Sequence, residues 1–575
     1  MATGFTAALA ASGVVRWLDR VGLGDALTLA WRATHGRARL RQELDVRRDC
    51  AKLRRERPFL QDGADLEDPR RPLLIVSLAD WPMQVKGESM IAKALQLRGV
   101  APVAMTSRRH HHARRYFRAF GVRRFVDLED FRRPEDAAAV RDAARMAIAR
   151  LDAFPAMMAF QYRGVHLGRH VLSTVCRTLR HGTPELGDAR VRALVDRLVP
   201  EAMHTVLQAE RVLADVQPEM ALFLERGYTP YGEVYDVMVN AGVNTVQWVG
   251  AHINEALVLR RCTDVTRHDH PFSLAEETWE EVKAAPWTPA QDAAIQREFD
   301  ERYQQGAWFM RQRLQDGKRV KTVPELRAQL RLDPAKKTAV VFSHLFWDAT
   351  FFFGEDVFDN YEQWLVETVR AACRNPALNW VIKLHPANIW KLKRDNAPIE
   401  FVEEVSLREQ VGPLPPHVIL LRPETDINTY SFFQLMDYCL TVRGTIGMEA
   451  PCYGIPVLTA GTGRYSGRGF TIDSRDRAQY LARLARLHDV PKLDAAEVEL
   501  ARRHAFALFK RRPLVFDSFR LTFPGVDSPS HPLDHDVDIR VTSRASLRGA
   551  ADLRALAAWA VDSKRLDYLA PEPTL

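Results

Sequence analysis

Two patterns of apolar residues alternate along this chain. Compact apolar runs, the mark of strands buried on both faces, are separated by stretches where apolar positions recur every three or four residues. The first series opens with LLIVSL at 73–78 and continues with apolar runs at 101–105 and 124–128; helical patterning lies between them at 88–97 and 108–120. Helical periodicity dominates 134–215. Apolar runs return at 219–224 and 244–249, again around a helix, and charged helical sequence fills 265–333. A second series then predicts strands at 338–343, 380–384, 418–421, 438–442 and 456–459, with helices at 360–374, 429–436 and 445–453. Helical patterning resumes over 476–512 and 546–563.

Strand-helix alternation of this kind specifies α/β units with parallel sheets. At 575 residues the chain exceeds what one core supports. The pattern therefore divides it into a helical extension (1–65), a first α/β domain (66–264), a helical connector (265–333), a second α/β domain (334–525) and a tail (526–575). The expected fold class is α/β: two Rossmann-like, doubly wound domains with a helical N-terminal extension and C-terminal helices.

Composition narrows the function without fixing it. With 46% hydrophobic and 27% charged residues the chain buries ample apolar surface, which excludes global disorder. The net charge of +8 is mild for this length. It suits an anionic ligand or an anionic membrane surface, and no aromatic-flanked basic motif or Cys/His finger spacing asks for nucleic acid. Basic residues crowd 37–57, on sequence that reads either as a helix packed on the body or as a basic face on an anionic inner-membrane surface. The HHH at 110–112 reads as solvated basic surface, because adjacent histidines do not share a helical face. Six cysteines without a CxxC read as buried free thiols in a reducing compartment. The first twenty residues lack the charged and apolar regions of a secretory signal, and no long uncharged apolar stretch occurs. A cytoplasmic protein, peripheral if it meets a membrane, is expected.

Candidate chemistry sits where the strands end. In open parallel sheets, ligands bind beyond the carboxyl ends of the strands. Polar groups follow three strands of the second series: Ser343-His344, His385-Pro386 and Arg443-Gly444-Thr445. Gly444 permits a tight turn, Thr445 opens a helix whose free amides favour an anion, and Glu449 follows one turn later, placed to accept a sugar's vicinal hydroxyls. Arg443 is a phosphate partner by the same reading, and His385 presents an imidazole donor after the VIKL strand. Lys383, inside that strand, reads as structural or rim-facing. The Gly-rich GTGRYSGRGF at 461–470, with Arg464 and Tyr465, reads as a loop over the site; it lacks the lysine and serine of a P-loop.

KLHPAN (383–388), ETDINTYSFFQLMDYCLTVRGTIGMEAPCYGIPVL (424–458) and GRYSGRGFT (463–471) resemble the bacterial capsule polysaccharide biosynthesis glycosyltransferases, a group that includes the capsule Kdo transferases. The resemblance covers roughly 338–475. It implies a GT-B arrangement, two Rossmann-like domains facing a cleft with the nucleotide-sugar in the C-terminal one. His385-Pro386 matches the family's His-Pro pair, Thr445 its Ser/Thr before the IG(x)EA element, and Glu449 the glutamate expected to hold the donor's nucleotide. The run around Asp426 and Asn428 matches in kind but not in order.

The implied activity is transfer of a sugar from a nucleotide-sugar, CMP-Kdo-like among the candidates, to a glycan or glycolipid acceptor, with no cofactor and no metal. For an inverting reaction the first domain must supply a base, and Asp80, Glu225 and His252 stand at its strand ends. Asp80 and Glu225 also read as a helix cap and as an ion-pair partner. Two other functions fit the same sequence: a noncatalytic polysaccharide export or binding protein, and a UDP-sugar epimerase.

Overall fold

The computed structural model describes residues 37–62, 71–151, 153–304, 314–315, 317–394, 400–523 and 535–572. Most of the extension's expected helix, 1–36, lies outside them. Two sheets carry the fold. The first orders its strands β13-β6-β5-β4-β1-β2-β3. Here β1 (Pro72–Val76), β2 (Ala101–Thr106), β3 (Arg124–Asp127), β4 (Met220–Phe223) and β5 (Asn244–Gly250) run parallel, and β6 (Ala256–Cys262) and β13 (Pro513–Val515) extend the edge in antiparallel fashion. The second sheet is wholly parallel, in the order β12-β11-β10-β7-β8-β9. It comprises β7 (Thr338–Phe342), β8 (Asn379–Lys383), β9 (Val418–Leu421), β10 (Tyr438–Thr441), β11 (Val457–Thr459) and β12 (Ile472–Asp473).

Both sheets are doubly wound. The strand order reverses between β1 and β4 in the first and between β7 and β10 in the second, so each sheet has one switch point at its carboxyl edge. The apolar runs are there because helices cover both faces: β1 is buried along its whole length and so is β8.

The connector is part of the second domain. Its helices Glu276–Ala284, Pro289–Gln304 and Val323–Leu330 pack Trp279, Phe299 and Leu326 into the core that holds β7 and β10. The expected boundary at 525 does not follow the sheets. After the helix Ala495–Phe506 the chain returns to the first domain, where β13 pairs with β6, a short hairpin forms from β14 (Phe519–Thr522) and β15 (Asp536–Ile539), and the helix Ala551–Asp562 packs into the first core. A fully buried Arg512–Asp567 ion pair at 2.8 Å fixes that return.

The helix Arg37–Glu56 also joins the first core, through Val46, Cys50 and Leu53. That packing corrects the reading of the histidine run: His112 is buried and 3.2 Å from Glu43 of this helix. The six cysteines are free, five of them buried. Among the described residues no helix is long and apolar enough to cross a membrane.

Candidate active site

The order β10-β7-β8 sets the three polar strand ends side by side, and they open onto one cavity of about 160 Å³. Ser343, His344, His385, Pro386, Gly444, Thr445 and Glu449 all line it, together with Phe342, Lys383, Thr429 and Thr441. Arg302 and Tyr303 enter from the connector helix. A space of this size holds a ring-sized group; the rest of a nucleotide-sugar would lie in the open cleft beyond.

Each polar group has a definite state. The backbone N–H of Ala387 donates to His385 Nδ1 at 3.1 Å, and that of His385 donates to Ser343 Oγ at 3.0 Å. Burial and the neighbouring Lys383 push the His385 pKa down to about 3. The ring is therefore neutral with its proton on Nε2, a donor at the cavity wall. His344 does different work. Its Nε2 meets Thr441 Oγ1 at 3.1 Å and accepts from the amides of Val442 and Arg443, while its ring stacks on Tyr361. It ties β7 to the end of β10 at the switch point.

Thr445 makes no side-chain cap hydrogen bond, so its hydroxyl is uncommitted to the short helix Ile446–Glu449. Glu449 is fully buried. Arg302 Nη2 lies 3.0 Å from one of its oxygens and the Tyr303 hydroxyl donates to the other. A carboxylate offers about four lone-pair directions, so Glu449 retains acceptor capacity toward the cavity while neutralised from behind. Asn428 donates to the Tyr303 carbonyl at 2.8 Å and thereby fixes this partner pair. Asp426 instead anchors the connector, through Lys321 at 2.5 Å and Arg319 at 3.2 Å.

Three residues expected at the ligand lie outside the cavity lining. Arg443 pairs with Asp356, a half-buried carboxyl whose pKa is raised by desolvation against the pull of that guanidinium. It braces the loop after β7 from beside the site. Tyr465 is fully buried and donates to the Gly444 carbonyl at 2.9 Å. A Cβ on Gly447 would run into its hydroxyl, so the Gly-rich segment supports the turn from beneath and is no lid over it. Arg464 meets His270 at 3.2 Å, and burial lowers its pKa to about 10.

The first domain's candidates separate clearly. Asp80 accepts the Ala113 amide at 2.8 Å, at the start of the helix His111–Ala119: the capping role. His252 pairs with Glu298 at 3.2 Å, on the connector helix that carries Arg302, and packs on Phe509. Glu225 alone stands at the first sheet's switch point and faces the second domain. One oxygen accepts the amides of Arg226 (2.9 Å) and Gly227 (3.3 Å); the other is 3.8 Å from Arg177. The side chain remains 33% exposed. Burial between the cleft walls, helped by Asp348, raises its pKa.

Asp348 belongs to the loop that follows β7 and pairs with Lys391; the charges of both bear on His385 as well. That loop crosses the cleft. Trp347 and Phe351 sit in the first domain's core, and the Ala349 amide donates to the Tyr228 hydroxyl at 2.9 Å. Its backbone is left-handed at Ala349 (φ 53°) and Phe351 (φ 65°), a conformation that costs side chains other than glycine about 1–3 kcal/mol.

Two doubly wound α/β domains that present their switch points to a shared cleft define the GT-B class of architecture. Residues 223–504 match the model of the family described as "Capsule polysaccharide biosynthesis protein". That match covers just under half of the chain. Solved structures similar to it include the beta Kdo 2,4 transferase KpsC of Thermosulfurimonas dismutans (13% identity, TM-score 0.30, covering 52% of this chain and 81% of that one). The beta Kdo 2,7 transferase KpsC of the same organism matches at 16% identity and TM-score 0.30, covering 54% and 82%. A UDP-GlcNAc 2-epimerase from Neisseria meningitidis, bound to UDP-GlcNAc, matches at 10% identity and TM-score 0.25, covering 76% and 96%. No curated protein matches the sequence.

Proposed function

We propose that the protein is a glycosyltransferase of capsular polysaccharide synthesis. In this reading a nucleotide-sugar lies with its nucleotide at the second domain's strand ends and its sugar toward the cleft. A glycan or glycolipid hydroxyl approaches from the first domain. The observation that carries the reading is the pairing of opposites across one cleft: a neutral imidazole donor at His385 on one wall, and a carboxylate of raised pKa, Glu225, on the other. Glu225 takes the proton from the acceptor hydroxyl as its oxygen bonds to the anomeric carbon. The bond from that carbon to the phosphate oxygen breaks, and the nucleotide leaves as an anion. His385 Nε2–H is positioned to donate to that anion, where charge develops. A base whose pKa is raised by burial suits the first step.

The test is nucleotide release from CMP-, UDP-, GDP- and dTDP-sugars by purified protein with membrane glycolipid extract. Thermal shift runs in parallel with the free nucleotides. One nucleotide should stabilise the protein, its sugar should turn over, and Glu225→Gln should cut turnover by about 10²–10⁴-fold with the thermal shift retained. Binding without turnover on any acceptor would sink the enzymatic part of the reading. Interconversion of a UDP-sugar without acceptor would replace transfer by epimerisation.

A further inference from the structure

Lys383 is the last residue of β8, between Ile382 and Leu384, both fully buried. Its own exposure is 3%. No carboxylate, carbonyl or hydroxyl among the described residues accepts from its Nζ; the Phe342 ring faces it, with the centroid 5.8 Å away. The side chain lines the cavity, two residues before His385. A buried ammonium without a counter-charge costs stability, and an apolar strand has no structural use for one. The other charged groups around it leave that charge unmet. Arg302 and Glu449 neutralise each other at 3.0 Å, His344 and His385 are held neutral, and Lys318 donates to the Pro423 carbonyl at 3.0 Å.

We infer that Lys383 is the cavity's phosphate contact: its Nζ donates to the phosphate oxygens of the bound nucleotide, beside the Nε2–H of His385. The inference rests on the donor-site reading above and adds a residue to it. Burial, with Lys318 nearby, draws the amine's pKa down to about 7. The empty site thus carries a partly neutral amine, and a phosphate restores its full charge.

A lysine kept for the fold and a lysine kept for a ligand differ in sign when replaced by methionine, which has a similar length and no charge. The experiment measures the melting temperature of wild type and Lys383→Met, ligand-free and titrated with CMP, UMP, GMP and TMP, their nucleosides and their nucleotide-sugars. The expected result has two parts. Lys383→Met melts at or above the wild-type temperature when ligand-free, by about 2 °C or more where it rises. It also binds the preferred monophosphate about 10- to 100-fold more weakly, with the nucleoside's affinity unchanged. A lower ligand-free melting temperature assigns Lys383 to the fold and overturns the inference. Unchanged monophosphate affinity overturns it too, including the case where only the nucleotide-sugar weakens, since the amine then reads the sugar. In either case wild-type nucleotide binding leaves the donor-site reading intact. If no nucleotide or nucleotide-sugar binds the wild type, that reading falls and the phosphate contact falls with it.

Discussion

Glu449 looks from sequence like a ligand carboxylate, yet in the fold it is one half of a buried ion pair, and replacing it should damage the protein before it damages binding. At the 3.0 Å separation from Arg302, Coulomb's law with an effective dielectric of 20 gives an attraction of about 5.5 kcal/mol. Both partners have lost their hydration, so the pair's net worth is far smaller. Removing one partner leaves the other buried and unpaired, at a cost of about 3–5 kcal/mol. Glu449→Gln isolates this effect, because the amide oxygen still accepts from Tyr303. The melting temperature should fall by roughly 10 °C, at about 2–4 °C per kcal/mol for a domain of this size. Arg302→Met should fall comparably. The double variant should recover most of the loss, with a coupling of at least about 2 kcal/mol. Differential scanning calorimetry of the four proteins measures it. If the two single losses simply add, the pair is not the unit described here. A binding defect in Glu449→Ala alone would then be read differently as well; until the cycle is measured, such a defect mixes ligand loss with domain damage.

Glu88, fully buried beside Ser77 and Gln84, has its pKa raised by burial from 4.5 to about 8. The folded state keeps a proton that the unfolded chain releases above pH 4.5, so stability falls as pH rises between 4.5 and 8, by about 3 kcal/mol at pH 7. Glu88→Gln should therefore melt above wild type at pH 7.5 and lose that advantage at pH 4.5. Gly447→Ala should cost about 1–3 kcal/mol and abolish nucleotide binding, as the added methyl group displaces Tyr465; Tyr465→Phe should cost about 1 kcal/mol and keep it. Asp80→Ala should cost about 1 kcal/mol of stability through the lost cap and leave turnover within about twofold. A fall of 100-fold or more would return Asp80 to the chemistry.

The site's framework was legible because parallel strands buried on both faces stand out as apolar runs, and the polar residues after them can only lie at one edge of a sheet. Ser343, His385 and Gly444 followed from that rule alone. What the rule cannot supply is which strands become neighbours, or which side chains arrive from elsewhere. Arg302 and Tyr303 come from an unremarkable charged helix 146 residues before Glu449, and no local pattern marks them. Lys383 hid in plain sight: its strand is apolar, and only the three-dimensional lack of an acceptor gives its charge meaning. Arg443 misled because a guanidinium at a strand end is equally suited to a phosphate and to Asp356. Strand β6 escaped notice because it carries Arg260 and Arg261, whose burial is made tolerable by carbonyls and carboxylates of a tail some 300 residues on.

That returning tail also bears on how the molecule is made. The edge of β6 stays bare, and its two arginines stay without their tail partners, until residues 513–568 leave the ribosome. The first domain is thus completed last, after the second has been synthesised in full. Expressing the N-terminal half alone would yield a first domain with an open strand edge, the kind of surface that recruits other chains.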